Sequence, residues 1–142
     1  MTGLWVLVGV LALATALGLA WRSRNGRVRG GTCARADTSA LPDEVRALLS
    51  GRDVTLLQLS TTFCAPCRQA RVLLSDLARN TAGLAHVELD LTERPELASQ
   101  LHVLRTPTTL ALDAEGNELL RIGGVPRRAE LLDALRGSRS IP

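Results

Sequence analysis

The sequence contains no lysine and no tyrosine, and it is poor in aromatic residues of every kind. Trp5, Trp21 and Phe63 are its only aromatic side chains, and the positive charge behind its formal net charge of +3 comes from arginine. Proteins that bind single-stranded nucleic acid by base stacking need aromatic side chains among their basic ones. The composition therefore excludes a nucleic-acid partner of this type, and arginines scattered along a chain are typical of a solvated surface.

Cysteine is scarce as well, and the chain carries only Cys33, Cys64 and Cys67. Three thiols are too few for a small scaffold held together by disulfides. Cys64 and Cys67 enclose Ala65 and Pro66, a spacing that allows a small disulfide to close and reopen. The pattern indicates a redox-active pair plus one additional thiol, Cys33, which we expect to be dispensable for exchange. A disulfide between two copies of the chain, or a resolving role for Cys33, is the alternative.

The residues around this pair predict a strand before it and a helix after it. Residues 54–59 form an apolar run with the length of a buried strand, and residues 68–79 are typical of a helix. Cys64 then lies at a helix N-terminus, where backbone N–H groups and the helix dipole favour thiolate over thiol. Because the thiolate is the nucleophile in thiol–disulfide exchange, the motif indicates that chemistry.

One long hydrophobic run lies near the N-terminus. Residues 3–21 are apolar or small except for Thr15, and Trp5 and Trp21 lie near the two ends, where indole rings prefer the lipid–water interface. A helix of roughly 19–20 residues, at about 1.5 Å per residue, crosses the hydrocarbon core of a bilayer. We therefore predict a transmembrane anchor over residues 1–21. Two alternatives are disfavoured: a cleaved signal peptide, because no basic residue precedes the run, and a buried core helix, because such a helix would normally show a polar face.

Arginines at positions 22, 24, 27 and 29 follow the run directly. Because basic flanks stay preferentially in the cytoplasm, they predict a single-pass membrane protein whose domain faces the cytoplasm, with the extracytoplasmic side as the alternative. Residues 22–40 lack hydrophobic periodicity and are rich in Gly, Arg, Thr and Ala, which predicts a flexible basic linker. The globular domain is expected over residues 41–142.

The sequence of this domain predicts alternating helices and strands. Pro42 and Asp43 open a short helix that Gly51 ends. Residues 85–91 alternate between apolar and polar side chains, which is the period of a strand, and residues 114–117 have the chemistry of a hairpin turn. The expected strands are 54–59, 85–91, 108–112 and 118–122, and the further helices are 67–80 (with Val72, Leu73, Leu74 and Leu77 toward the core), 95–101 and 126–135. This order predicts a three-layer α/β sandwich around a mixed four-stranded sheet, with no strand before Pro42.

Three segments resemble the thioredoxin family across residues 41–135. FCAPCR at 63–68 lies at the strand-to-helix junction, RTPT at 105–108 precedes the third strand, and Gly123-Gly124 follows the hairpin before an amphipathic helix. A lone CxxC is a weak signal that zinc sites share, whereas these three segments in this order make the resemblance strong. It implies a thioredoxin-like sandwich, here preceded by one transmembrane helix.

The resemblance also implies roles for individual residues. Cys64 resembles the exposed attacking thiol and Cys67 the buried resolving thiol, with no cofactor beyond their redox-active disulfide and no metal. Pro107 resembles the family's cis-proline, which leaves the backbone of Thr106 free to pair with a substrate strand. The residues expected to bind substrate are Phe63, Pro66, Thr106 and Pro107.

Three positions depart from the family pattern, and one of them is Thr106, which replaces the bulkier aliphatic residue usual in thioredoxins. Phe63 stands where thioredoxins commonly carry Trp, and Gln58 stands where they bury an Asp that moves protons for the resolving thiol. Because an amide cannot take up a proton, His86 or Glu88 on the next strand, or water, would have to serve instead.

The sequence thus predicts a membrane-tethered thiol–disulfide oxidoreductase that reduces disulfides of partner proteins. The expected partners are disulfide-containing protein substrates, membrane lipid, and an electron donor such as a thioredoxin-reductase-type flavoprotein or a membrane thiol carrier. Two alternatives stay open. Gln58 favours a non-catalytic module that holds a partner at the membrane. The CxxC spacing also allows a metal site, for which only Cys33, His86 and His102 are available as further ligands.

Overall fold

The structure is a computed structural model that describes residues 2–24, 28–30, 41–49 and 51–137. Helices and strands follow one another along these residues in nearly the predicted order. The elements are α1 (Thr2–Arg24), β1 (Val28–Gly30), α2 (Asp43–Arg46), β2 (Val54–Ser60), α3 (Ala65–Asn80), β3 (Leu84–Asp90), α4 (Pro95–Gln100), β4 (Thr108–Asp113), β5 (Glu118–Gly123) and α5 (Arg128–Gly137).

The strands form one mixed sheet with the order β1-β5-β4-β2-β3. β2 and β3 are parallel, with Leu57 opposite Val87, whereas β4 runs antiparallel to both β2 and β5. The sequence predicts both connections: β2 and β3 are parallel neighbours joined through α3, and β4 and β5 form the closing antiparallel hairpin. The predicted sandwich around the four strands β2 to β5 is therefore confirmed.

A fifth strand lies at the edge of this sheet. β1 pairs antiparallel with β5, and Val28 stands opposite Ile122. The expectation that no strand precedes Pro42 is therefore wrong. An edge strand of three residues forms through backbone hydrogen bonds to its neighbour, so it needs no alternation of side chains that a sequence pattern would show.

Part of the predicted linker over residues 22–40 forms regular secondary structure. Helix α1 continues to Arg24, and Val28–Gly30 belong to the sheet. The other predicted linker positions, including Cys33, lie outside the described residues.

Both faces of the sheet are covered by helices, which makes β2 the centre of the core. Every residue of β2 is buried. Its Leu56 packs in a cluster with Leu74 of α3 and Leu131 of α5, whereas Leu57 belongs to a second cluster with residues of α2 and α4. Successive side chains of a strand point to opposite faces, so alternate residues of this one strand supply both halves of the core.

Helix α3 carries the CxxC motif and packs against the sheet through one stripe. Cys67, Ala70, Leu74 and Leu77 are its buried residues, at the spacing of one face of a helix. Val72, which we expected in the core, is 70% exposed. It lies five positions after Cys67 and two before Leu74, and at about 100° per residue both offsets turn it away from the buried stripe.

Helix α2 is shorter than expected, because it ends at Arg46 instead of continuing toward Gly51. Leu48 N donates to Val45 O at 3.1 Å, and Leu49 N donates to Arg46 O at 3.2 Å. Bonds that skip only two residues tighten the chain into 3₁₀-type turns, which end the α-helix.

Helix α1 has the length and composition of a membrane span. Its segment Gly3–Ala20 has a mean hydropathy of 2.2, and none of it is buried against the rest of the protein. The hydroxyl of Thr15 donates to the backbone oxygen of Leu11 at 2.7 Å, which satisfies the polar side chain within the helix. A signal sequence near the N-terminus would have the same properties.

Candidate active site

Cys64 and Cys67 are joined by a disulfide at the start of α3, with 5.2 Å between their Cα atoms. Cys64 is the N-cap of this helix, and its sulfur accepts a hydrogen bond from the backbone N–H of Cys67 at 3.2 Å. Cys64 is 9% exposed, whereas Cys67 is 2% exposed. Cys64 is thus the more exposed of the two residues, and a helix N–H is already directed at its sulfur.

The predicted proline loop lies in the same site. The peptide bond between Thr106 and Pro107 is cis, as predicted. The oxygen of Pro107 accepts a hydrogen bond from Gly124 N at 2.7 Å, and the hydroxyl of Thr106 lies 3.3 Å from that of Thr61, just before the CxxC motif. These contacts connect the proline loop to the end of the hairpin and to the segment that carries the cysteines.

Among the described residues, a groove is lined by Pro66 of the CxxC motif, by the proline loop and by Gly18 of helix α1, but by neither cysteine. Pro66, Thr106 and Pro107 line it together with Arg105 and Gln69. The structure therefore brings three of the four residues predicted to bind substrate into one surface. Phe63, the fourth, is 97% exposed and projects into solvent instead of lining the groove.

Sequence reasoning missed Leu104, which is also 97% exposed. It lies three residues before Pro107, and a leucine directly before Arg105 in a loop was the available signal. Single exposed leucines are common on protein surfaces.

A chain of polar side chains lies beneath Cys67. Gln58 Nε2 donates to the backbone oxygen of Cys67 at 2.9 Å, and Gln58 Oε1 lies 3.1 Å from His86 Nε2. The hydroxyl of Ser75 lies 2.9 Å from His86 Nδ1. Because the backbone oxygen of Cys67 can only accept, Gln58 must present its NH₂ group to Cys67 and its oxygen to His86. Neutral His86 therefore carries its proton on Nε2, and Ser75 donates to Nδ1.

Glu88 adds a charge to this network. Gln58 Nε2 lies 3.4 Å from Glu88 Oε1, the hydroxyl of Ser60 donates to the same oxygen at 2.7 Å, and Arg71 forms an ion pair with the carboxylate. His86 and Glu88, the two candidate proton carriers, thus both contact Gln58, the residue that donates to Cys67 in the first turn of α3. That either of them accepts a proton from Cys67 stays a prediction.

The environment sets the charge state of both groups. Burial lowers the pKa of His86, an effect that the charge of Glu88 opposes and that of Arg71 reinforces. Burial raises the pKa of Glu88, but hydrogen bonds from Arg71 and Ser60 and the charge of Arg71 together outweigh it, so the net pKa is lowered. Near neutral pH the pair therefore consists of a neutral imidazole and an ionised carboxylate.

A comparison with known protein families matches residues 39–137 to thioredoxin. The chain belongs to the thioredoxin family. Among curated thioredoxins, that of Mycobacterium tuberculosis is 33% identical over 89 residues, which is 62% of this chain and 76% of the relative. Thioredoxin H5 of rice is 38% identical over 53 residues, covering 37% of this chain and 39% of the plant protein.

Two further comparisons concern architecture. A bifunctional thioredoxin reductase/thioredoxin of Mycobacterium leprae is 29% identical over 86 residues, which cover 60% of this chain and 19% of that protein. The solved structure of a mutant thioredoxin from Halobacterium salinarum superimposes with a TM-score of 0.60 at 24% identity, covering 69% of this chain and 85% of the other. At that identity the superposition shows the thioredoxin fold.

Family membership gives the Cys64–Cys67 disulfide a general chemical meaning. Thioredoxins exchange electrons with disulfide-containing proteins through a Cys-x-x-Cys pair, and this chain holds such a pair at the start of α3 beside a cis-proline. The protein is therefore a thioredoxin-family thiol–disulfide oxidoreductase.

Proposed function

We propose that this chain is a membrane-tethered reductase of protein disulfides. The observation that supports it most strongly is the Cys64–Cys67 disulfide at the N-terminus of α3, beside the groove that Pro107 lines. In the reduced protein, the Cys64 thiolate attacks one sulfur of a partner disulfide, and the other partner sulfur leaves as a thiolate that takes up a proton. The Cys67 thiol gives up its proton and attacks the Cys64 sulfur, which forms the Cys64–Cys67 disulfide and releases the second partner thiolate. Two electrons pass to the partner.

The surroundings of the two cysteines support Cys64 as the attacking thiol and Cys67 as the resolving thiol. The N–H of Cys67 donates to the Cys64 sulfur, so negative charge on that sulfur is stabilised at the helix terminus. Cys67 is the less exposed thiol and lies within reach of Cys64, which suits a group that acts only after the mixed disulfide has formed. Phe63, Pro66, Thr106 and Pro107 are the residues that we propose to contact the partner chain, without any cofactor or metal.

The tether is proposed from helix α1 and its arginine-rich flank. Gly3–Ala20 is long and apolar enough to cross a bilayer, and the arginines that follow favour the cytoplasmic side for the domain. On that side a thioredoxin-reductase-type flavoprotein would supply electrons, and on the other side a membrane thiol carrier would. A reporter that works on only one side of the membrane, fused to the C-terminus, tests this orientation, because activity only outside the cell overturns the cytoplasmic assignment.

Reduction of a protein disulfide by the full-length chain in non-ionic detergent tests the activity. We expect turnover with the wild type, loss of turnover in Cys64→Ser, and unchanged turnover in the matched variant Cys33→Ser. A wild type no faster than Cys64→Ser would instead establish a non-catalytic module. Near-stoichiometric zinc in the purified protein, without redox cycling, would establish a metal site.

A second variant identifies the substrate. Cys67→Ser retains the attacking thiol but cannot resolve the mixed disulfide, so partner proteins should accumulate as covalent adducts on Cys64. Adducts that dithiothreitol releases, and that are absent from Cys64→Ser with Cys67→Ser combined, would name the partners.

A further inference from the structure

The connection between helix α1 and the sheet is short. Helix α1 ends at Arg24 and strand β1 begins at Val28, and these four steps along the chain span at most about 14 Å even when fully extended. The apolar segment Gly3–Ala20 ends four helical residues before the end of α1, which adds about 6 Å. When α1 spans a bilayer, the sheet therefore begins within about 20 Å of the hydrocarbon core, and the lipid headgroups take up roughly 5–8 Å of that distance.

Strand β1 begins at the end of the sheet that carries the redox site. Val28 stands opposite Ile122 of β5. The same row of the sheet continues through Thr109 to Gln58 of β2, which donates a hydrogen bond to the backbone oxygen of Cys67. Because neighbouring strands lie about 4.8 Å apart, β1 begins roughly 15 Å across the sheet from the strand that leads to the cysteines. The chain thus enters the sheet at its redox end.

The connection is too short for the domain to point its redox end away from a membrane. Strand β2 has seven residues, so the sheet is about 23 Å long from its redox end to its opposite end. In that inverted orientation Val28 would lie about one sheet length, roughly 23 Å, above the headgroups. The connection extends only roughly 12–15 Å beyond the headgroup layer. The redox end of the sheet must therefore face the bilayer or lie beside its surface.

The groove gives the same orientation without reference to the pairing of β1. Gly18 of helix α1 lines the groove together with Pro66, which lies between the two cysteines, and with Pro107 of the proline loop. Gly18 belongs to the last turn of the apolar segment. Helix α1 therefore leaves the domain on the side of the redox site.

We propose that this short connection holds the redox site toward the bilayer, so that the protein acts on disulfides close to the membrane surface, in membrane-anchored partners. This inference rests on the proposed tethered reductase and names the substrate class of that same site. A tethered site has a high effective concentration for targets within its reach and a very low one for targets that the tether cannot span. A long flexible linker would remove this selection, because the domain can then turn its site away from the membrane.

Two anchored peptides test this selection. Each carries two acyl chains, a polyproline spacer and a quenched fluorescent disulfide, and spacers of about 3 and about 18 residues hold the disulfide about 10 Å and about 55 Å from the surface. Full-length protein and peptide share phosphatidylcholine vesicles, and dithiothreitol starts the reaction by reducing the Cys64–Cys67 disulfide. The measured quantity is the factor by which the protein accelerates reduction over vesicles that lack it. We expect this factor to be at least about fivefold larger for the near disulfide than for the far one.

Two insertions separate the short connection from the added length. A Gly/Ser segment of about 30 residues directly after Arg24 gives the domain a flexible tether of about 30 Å, so the near-to-far ratio should fall below about twofold. The same segment directly after Gly30 is the matched control, because it has the same length and composition but leaves the connection between α1 and β1 unchanged. The control should keep the wild-type ratio. A soluble disulfide peptide should be reduced equally fast by all three proteins.

The outcomes distinguish this inference from the function on which it rests. If the protein accelerates reduction of neither the soluble nor the anchored peptides, the proposed reductase fails. If the soluble peptide is reduced but the near and far disulfides react equally, the reductase stands and the selection for membrane-proximal disulfides is refuted. Equal loss of the ratio in both insertion variants would refute β1 as the point where the domain is held. A protein that does not stay with the vesicles would overturn the tether and this inference together.

Discussion

Replacing the buried amide beneath the resolving cysteine tests the physical reasoning about the site. Gln58 is fully buried on strand β2 and joins the first turn of α3 to strand β3 through Cys67 and His86. Gln58→Met keeps the unbranched shape and nearly the same volume, so it removes the hydrogen bonds without opening a cavity. We expect the folded state of this variant to be less stable than the wild type.

The structure gives the size of this loss. Two well-formed hydrogen bonds disappear, at 2.9 Å to Cys67 and 3.1 Å to His86, and each contributes about 1 kcal/mol net. His86 is only half-buried, so it can form a hydrogen bond with water instead. The backbone oxygen of Cys67 still accepts its hydrogen bond within helix α3. Neither group is therefore left buried without a hydrogen-bond partner, which would cost more. The free energy of unfolding should fall by about 2 kcal/mol, which lowers Tm by roughly 8–16 °C in a domain of this size.

Denaturant titration of the oxidised full-length protein in non-ionic detergent measures the change. Far-ultraviolet circular dichroism is the suitable signal, because both tryptophans lie at positions 5 and 21 in helix α1 and do not report on the domain. Helix α1 stays in the detergent micelle and adds a constant contribution to the circular dichroism signal. The wild type and the variant are compared at equal detergent concentration.

Thr109→Val is the matched control on the neighbouring strand. Thr109 stands opposite Gln58 in the sheet and is also fully buried, but its hydroxyl has no hydrogen-bond partner in the described part of the chain. Removing an unpaired buried hydroxyl at constant shape should be neutral or stabilise by about 1 kcal/mol. Equal destabilisation by both substitutions, or a loss of under about 0.5 kcal/mol in Gln58→Met, would refute the network as a source of stability.

Three further predictions concern pH, the core and the hairpin. Because the pKa of folded His86 is lowered, the unfolded chain takes up the proton first, so the free energy of unfolding should fall as the pH drops below about 6.5. The pKa of Glu88 is also lowered, so the free energy of unfolding should fall further below about pH 4.5. Denaturant titrations at a series of pH values should show both decreases in the wild type. In His86→Gln only the decrease that begins at about pH 6.5 should be missing. Leu131→Ala should cost roughly 3 kcal/mol by the same measurement, because this leucine is fully buried between α5 and the sheet; a cost under about 1 kcal/mol would contradict the core assignment. Asp113→Ala should cost about 1–2 kcal/mol in thermal unfolding, since its carboxylate accepts hydrogen bonds from the backbone of the β4–β5 turn, and an unchanged Tm would contradict that role.

The sequence allowed the four main strands and the redox motif to be predicted because their signals are local. Apolar runs, a two-residue alternation in β3 and turn residues at 114–117 each reflect neighbours along the chain. Val72 was misplaced because three consecutive apolar residues do not show which one faces the core. Only packing of α3 against the sheet selects Leu74 and leaves Val72 outside.

Other features depend on residues that are far apart in the chain. The pairing of β1 with β5 joins Val28 to Ile122, and a backbone contact of this kind leaves no periodic trace in three residues. The Gln58–His86 hydrogen bond likewise arises only when separate strands meet.

The sequence by itself determined the chemistry of this protein, because a CxxC pair with a proline inside it and a Thr-Pro-Thr loop about 40 residues later encode reactive groups in short segments. It also determined the apolar helix at the N-terminus, since length and hydropathy are summed along one segment. The tertiary structure alone decided which of the two cysteines is more exposed and which way the Gln58 amide points. Those properties are set by burial and by hydrogen-bond partners, which come from other parts of the chain and exist only after the sheet and its helices have packed.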